Sequence, residues 1–250
     1  MTAVPALPAV PVRVLGGPTA LIEYGGLRLL TDPTFDAPGD YPRGDGRFLT
    51  KTLPGTVEPA ALGPVDAVLL SHDEHPDNLD HGGRALLADV PLTLTTRGGA
   101  ERLGGTARGL APWEQAELGP VTITAVPAQH GPDGSEPVIG EVIGFVLTGD
   151  GLPVVYVSGD NASLDVVQRI ADRVGPVDTA VLFAGAARVG LFDNALLTLD
   201  SARAARAARI LGARRVVPVH YDSWAHFTEG REPLLAAFTA AGLAEVLELP

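Results

Sequence analysis

The sequence contains no cysteine among its 250 residues. This absence excludes disulfides, thiolate metal sites and cysteine nucleophiles, so histidine and carboxylate side chains are the strong metal ligands that remain. Basic residues are also scarce: 18 Lys and Arg stand against 30 Asp and Glu, which gives a net charge of −12 at pH 7. A field of that sign repels nucleic-acid phosphates and anionic lipid surfaces. We therefore expect neither a nucleic acid nor a membrane as a partner.

Long hydrophobic runs are absent as well. No apolar stretch approaches the ~18 residues that a membrane span requires. The first twelve residues are apolar, but they carry three prolines and no basic region, which is not the pattern of a signal peptide. A length of 250 residues with 46% hydrophobic and 19% charged side chains suits one globular domain. We expect a cytoplasmic protein with a single domain over residues 1–250.

Strand-like and helix-like segments alternate along most of the chain. Two β-rich runs, residues 20–24 and 27–32, flank Gly25-Gly26, which is typical of a hairpin. Residues 33–56 are rich in proline, glycine and charge without periodicity, and they are predicted to be a long loop that shapes specificity. The pattern also predicts helices at 83–88, 163–174, 201–211 and 233–241, and strands at 12–15, 67–71, 92–95, 121–127, 142–147, 154–157, 179–183, 216–219 and 244–249.

The densest cluster of metal-binding side chains directly follows the apolar run 65–70. It reads Ser71-His72-Asp73-Glu74-His75-Pro76-Asp77-Asn78-Leu79-Asp80. Three later predicted strands also run out into such a residue: His130, Asp160 and His220. Residues just beyond strand ends at one edge of a sheet converge in space. The sequence therefore predicts a metal site built from nitrogen and oxygen ligands.

The order of these residues and their local contexts resemble the metallo-β-lactamase superfamily, particularly its branch of ascorbate 6-phosphate lactonase-like hydrolases. The opening hairpin that leads into Thr31-Asp32-Pro33 also resembles that superfamily. The resemblance implies an α/β fold with four layers, an αβ/βα sandwich in which two mixed β-sheets lie face to face with helices outside. It further implies a metal-binding groove at one edge of the sandwich.

Carried over residue by residue, the resemblance implies two adjacent metal positions. The ligands of the first position would be His72, His75 and His130. Asp160 would bridge the two positions, and Asp77 and His220 would hold the second. Paired metals of this kind share a water whose pKa falls from roughly 15.7 to about 7. The hydroxide is the implied nucleophile, and Asp77 is the catalytic residue that orients it or moves its proton. The expected cofactor is one or two divalent ions, zinc first, with manganese or iron as alternatives.

The first motif departs from the family's pattern, His-x-His-x-Asp-His. With Asp77 as the anchor, His75 takes the second histidine position and Asn78 replaces the last histidine. With His72 as the anchor, Glu74 takes the second position, but a proline then falls where the aspartate is needed. The first register is favoured, and Glu74 is kept as an alternative ligand. Because an amide oxygen binds a divalent cation less well than an imidazole, Asn78 is either a weak ligand or a helix-capping amide, and the second position is predicted to be weak or empty.

The implied function is a metal-dependent hydrolase in which a metal-activated hydroxide cleaves an ester-like or lactone bond of a small molecule. Arg188 and His226 are candidates for contacts with the substrate, Arg188 through a carboxylate or phosphate. A phosphodiesterase or nuclease of the same fold is one alternative, which the acidic charge disfavours. A non-catalytic metal-binding protein with an altered first motif is another. A homo-oligomer is compatible with the sequence.

Overall fold

Fourteen strands and six α-helices are present in the computed structural model, which describes residues 9–43 and 46–250. The strands are β1 Val12–Gly16, β2 Thr19–Tyr24, β3 Leu27–Thr31, β4 Gly39–Pro42, β5 Phe48–Lys51, β6 Ala67–Leu69, β7 Thr93–Thr95, β8 Ala107–Gly109, β9 Gln115–Leu118, β10 Val121–Pro127, β11 Ile143–Thr148, β12 Val155–Val157, β13 Thr179–Phe183 and β14 Arg215–Val219. The helices are α1 His81–Leu86, α2 Arg97–Leu103, α3 Glu136–Ile139, α4 Leu164–Val174, α5 Ser201–Ile210 and α6 Arg231–Ala240. Residues 1–8, which form most of the N-terminal segment whose composition is not that of a signal peptide, lie outside the described residues.

The first sheet has the strand order β1-β2-β3-β6-β7-β8. Its first three strands form an antiparallel meander, and β3, β6, β7 and β8 run parallel to one another. The predicted hairpin is confirmed: Gly25 and Gly26 form the turn between β2 and β3 with φ angles of 60° and 81°. Positive φ at both central positions is what a two-residue hairpin turn demands, and glycine adopts it without a steric penalty.

The second sheet has the order β14-β13-β12-β11-β10-β9. Because β10 and β12 are both antiparallel to β11, they run in the same direction. Strands β13 and β14 continue parallel to β12. The carboxyl ends of β10, β12 and β14 therefore lie at one edge of this sheet. These are the three strands that precede His130, Asp160 and His220.

Side chains alternate in direction along the strands, and this alternation divides the apolar interior into layers. In β12, Val155 and Val157 belong to the core between the two sheets, whereas Tyr156 packs on the outer side. The outward residues of the second sheet pack against α4, α5 and α6. Those of the first sheet pack around α1 and α2. The four-layer αβ/βα sandwich is confirmed, and each Val or Leu buried in it contributes about 1.5–3 kcal/mol relative to an exposed one.

Some segments differ from the sequence-based prediction. The predicted loop 33–56 contains the antiparallel hairpin β4–β5. The predicted strand 244–249 is wrong: it begins with a 3-10 helix, Ala244–Val246, and only Leu247 bridges to Val216. Helix α2 was not predicted because its Gly98 and Gly99 weaken the helical pattern, but Thr96 caps it by accepting a hydrogen bond from the N–H of Gly99. None of the described helices has both the length and the apolar character to span a bilayer.

Candidate metal centre

The predicted ligands meet where the ends of β6, β10, β12 and β14 face one another. Two backbone features make this close approach feasible. A Cβ atom on Gly159 would lie 2.5 Å from the carbonyl oxygen of Ile143 and 3.0 Å from the Cβ of Ser71, so only glycine allows the chain before Asp160 to pass the first motif. His220 has a φ of 57°, an unusual value for a non-glycine residue, and its N–H donates to the Gly17 carbonyl at 2.6 Å.

One group of four ligand side chains consists of His72, His75, His130 and Asp160, with ligand atoms all within 4.8 Å of one another. His75 Nδ1 lies 2.8 Å from His72 Nε2 and 3.4 Å from His130 Nε2. His130 Nε2 lies 3.5 Å from Asp160 Oδ2. Three imidazoles and a carboxylate around one point form a ligand set that suits zinc.

The outer nitrogens of two of these imidazoles are held by neighbouring groups. His130 Nδ1 lies 2.8 Å from the carbonyl oxygen of Leu197, which can only accept. His72 Nδ1 lies 2.9 Å from the hydroxyl of Ser71. Such contacts fix the ring orientation and the tautomer of a ligand imidazole. They leave Nε2 of His72 and of His130 facing the other ligands.

A second group consists of Asp77, Asp160 and His220. His220 Nδ1 lies 3.0 Å from Asp160 Oδ1, and His220 Nε2 lies 3.3 Å from Asp77 Oδ2. Although these distances are short, both ring nitrogens of His220 lack a hydrogen bond of acceptable geometry, and so does Asp77 Oδ1. Buried polar atoms without partners are costly. A divalent cation among them would offset that cost, so the residues fit the predicted metal.

Asp160 belongs to both groups, which is the place that the resemblance implied for a bridging ligand. Asn78 is buried beside it: its Nδ2 donates to Asp160 Oδ1 at 3.4 Å, and its Oδ1 has no partner. Glu74 lies outside both groups, because it is exposed and pairs with Arg102 Nη2 at 3.0 Å. The structure thus brings His75, rather than Glu74, to the other ligands.

The two candidate substrate contacts are placed differently. His226 Nε2 lies 3.0 Å from Asp77 Oδ2, and the ring lines a cavity beside the ligands. Its Nδ1 is buried without a hydrogen-bond partner. Arg188 lies outside that cavity, because its guanidinium donates to the Asn194 carbonyl and borders a separate surface groove. The placement gives no support to the prediction that Arg188 binds the substrate.

The buried carboxylates and imidazoles of the centre shift one another's pKa values. Although burial lowers the pKa of His220, the carboxylates of Asp160 and Asp77 outweigh it and raise that pKa to about 10. Burial raises the pKa of the Asp77 carboxyl, but His226 and His220 hold it well below its usual range. Burial and the neighbouring His130 lower the pKa of His75 to about 4. His75 is therefore neutral at pH 7, as a metal ligand must be.

The cavity beside the ligands has about 280 Å³ of empty space. It is lined by Arg43, Leu49, His75, Asp77, His130, Ile139, Ala187, Val189, Leu197 and His226. The sequence predicted that residues 33–56 shape specificity but not that they form the hairpin β4–β5, which supplies Leu49 to the cavity. The sequence of β5 carries no strand signal, because its buried face holds Leu49 and the charged Lys51 while its exposed face holds Phe48 and Thr50.

A family model described as "Beta-lactamase superfamily domain" matches residues 27–221, and the chain belongs to that family. A UPF0173 metal-dependent hydrolase of Methanosphaerula palustris is 31% identical over 192 residues, which cover 74% of this chain and 81% of that protein. Together with the two groups of potential ligands, these relations make the protein a metal-dependent hydrolase of the metallo-β-lactamase fold.

Solved structures agree on the fold. An isothiocyanate hydrolase from Delia radicum gut bacteria superposes with a TM-score of 0.81 at 21% identity, over 96% of this chain and 95% of that chain. Igni18, a metallo hydrolase from Ignicoccus hospitalis, superposes with a TM-score of 0.71 at 21% identity, over 96% and 94% of the two chains. At such identities the likeness concerns the architecture alone.

Proposed function

We propose that the protein hydrolyses an ester-like or lactone bond of a small molecule at this centre. The observation that carries the proposal is the pair of buried ligand groups sharing Asp160 at the base of a small cavity. The three imidazoles of the first group favour zinc. The second group is richer in oxygen, which favours manganese or iron there if that position fills.

The residues around the cavity supply the groups that this hydrolysis needs. Divalent ions held there supply Lewis acidity, which lowers the pKa of water to about 7. Asp77 Oδ2 is held by His226, and its Oδ1 has no protein partner. Where the second metal position is empty, Oδ1 is therefore placed to accept a proton from the attacking water. The water oxygen bonds to the acyl carbon and the bond to the leaving oxygen breaks. The accepted proton then passes to that leaving oxygen.

A substrate panel with the metal-loaded protein tests this proposal. It contains p-nitrophenyl butyrate, γ-hexalactone and bis-p-nitrophenyl phosphate, and phenethyl isothiocyanate joins them because one structural neighbour is an isothiocyanate hydrolase. We expect turnover of the ester or the lactone, and its loss in Asp77→Asn. Turnover of the phosphodiester alone would favour the phosphodiesterase alternative. A protein that binds metal but hydrolyses none of the four would support the non-catalytic alternative.

A further inference from the structure

One part of the cavity wall is apolar. Ile139, Ala187 and Leu197 are buried in a cluster of their own, separate from the three main cores, and Val189, Phe192 and Phe227 pack against it. Ile139, Ala187, Val189 and Leu197 also line the cavity. We propose that this wall binds a neutral apolar group of the substrate, so that the substrate is a small apolar electrophile rather than a phosphorylated sugar. The inference rests on the proposed function for the reacting bond.

The charges around the cavity support a neutral group. Arg43 is the one cationic side chain among the described residues that line the cavity, and it also borders the neighbouring groove. The other cations near the site contact protein groups outside the cavity or at its rim. Lys51 Nζ pairs with Asp80 Oδ2 at 3.0 Å, and Arg102 pairs with Asp73 and Glu74. The guanidinium groups of Arg84, Arg47 and Arg188 donate to the carbonyls of Asp73, Val189 and Asn194, respectively. A phosphate group here would lose its hydration shell next to the Asp77 carboxylate.

The size of the cavity limits the substrate. The empty space of the cavity is about 280 Å³ with the opening to solvent included, so the enclosed part is smaller than that. We expect such a cavity to admit no more than a ring or a short alkyl chain beside the reacting bond. Burying one methylene in an apolar wall improves binding about fourfold. A graded dependence on chain length is therefore expected until the wall is covered.

The first test uses γ-butyrolactone, γ-hexalactone, γ-octalactone and 6-phosphogluconolactone with the metal-loaded enzyme. We expect kcat/KM to rise about fourfold for each methylene between the first two lactones, and the phosphorylated lactone to be the poorest substrate. A preference for the phosphorylated lactone would overturn the inference while leaving the proposed hydrolysis intact.

A second test needs no turnover. Saturation-transfer NMR is recorded with benzyl alcohol and with glucose 6-phosphate for the wild type, Val189→Trp and Leu235→Trp. Leu235 is the matched control, since it is 44% exposed on α6 and outside the cavity. We expect benzyl alcohol to contact the wild type and Leu235→Trp but not Val189→Trp. Binding of glucose 6-phosphate alone, or benzyl alcohol binding that Val189→Trp leaves unchanged, would contradict the inference.

Val189→Ala keeps the test decisive if Val189→Trp does not fold. The smaller alanine side chain enlarges the cavity. The lactone with the highest kcat/KM should therefore be one or two methylenes longer than for the wild type. An unchanged optimum would count against the apolar wall. Binding of benzyl alcohol by a wild type that hydrolyses none of the panel would retain this inference and refute the proposed function.

Discussion

His226 presents its two ring nitrogens to different surroundings. Nε2 contacts Asp77 at 3.0 Å, and Nδ1 is buried without a partner in a ring that lines the cavity. Glutamine places its amide nitrogen near the position of Nε2, and asparagine places its own near Nδ1. We expect His226→Asn to lower kcat about 10- to 100-fold, because the group that orients Asp77 is lost. His226→Gln should keep most of kcat and raise KM.

Steady-state kinetics with metal content measured in parallel checks this prediction. His81→Gln is the control, since the His81 side chain is 82% exposed and lies outside both ligand groups. Equal losses in the asparagine and glutamine variants would show that the two nitrogens of His226 do not have separate roles.

Asn78 is predicted to limit the number of metal ions that the centre holds. Its amide donates to Asp160, so the second position has one imidazole, from His220, where the family pattern would give two. We expect Asn78→His to raise the bound metal from about one towards two equivalents per chain, because imidazole is the better ligand. Elemental analysis of protein purified without added metal gives the answer. Two tightly held ions in the wild type would contradict the prediction, and Asn78→Ala controls for disturbance of the first position.

His220 is predicted to contribute to the pH dependence of the metal-free protein. Its pKa is raised from 6.5 to about 10 in the folded chain. The stabilisation that follows is fully present below pH 6.5 and is lost as the pH rises through 10. The metal-free wild type should therefore lose stability between pH 7 and pH 10 in urea unfolding, and His220→Gln should flatten that loss. A wild-type curve that is flat over this interval would refute the assignment.

At the level of elements, the residue pattern predicted those strands and turns that depend on the local sequence. The Gly25-Gly26 hairpin and the ends of β10, β12 and β14 follow from spacing that is visible in the sequence. The sequence also favoured the register that makes His75 a ligand, since the alternative puts Pro76 where an aspartate is needed, but it left Glu74 open as a ligand. Tertiary contacts separate them: Arg102 draws Glu74 outward, and His130 meets His75. The hairpin β4–β5 was missed since prolines and glycines mask its short strands.

That hairpin is anchored by Lys51, the chain's single lysine. Its Nζ and Asp80 Oδ2 form a pair 3.0 Å apart whose side chains are 1% and 0% exposed. Asp80 also caps α1 through the N–H of Gly83, and Nζ lies 5.6 Å from the ring centre of Trp224. One ammonium thus joins the hairpin, the first motif and the loop that carries His226.

Removing one partner of this pair should be costly. We expect Lys51→Met to lower the free energy of unfolding by about 3–5 kcal/mol, because it leaves the buried Asp80 carboxylate with two backbone N–H donors but no counter-charge. Adding Asp80→Asn should recover part of the loss, since an amide oxygen can still cap α1. Urea unfolding of the single and double variants measures both effects. A neutral Lys51→Met, or a double variant no more stable than the single one, would argue against the anchor.

For the whole molecule, the centre joins the two halves of the sandwich. His72, His75 and Asp77 follow a strand of the first sheet, whereas Asp160 and His220 follow strands of the second. A metal held by both sets stabilises the folded chain by an amount that grows with the logarithm of the ratio of metal concentration to Kd. At a hundredfold excess over Kd the gain is about 2.7 kcal/mol. For a chain of this size, each kcal/mol corresponds to roughly 2–4 °C in Tm.

Chelation should therefore lower Tm by about 5–10 °C relative to protein at a free zinc concentration of about one hundred times Kd. Differential scanning calorimetry, with elemental analysis before and after chelation, measures the shift. His130→Ala should abolish most of it by removing a ligand of the first group, while His81→Ala should leave it unchanged. If chelation strips the metal and Tm stays the same, the ion does not join the two sheets, and the orphaned atoms of His220 and Asp77 must be satisfied in another way.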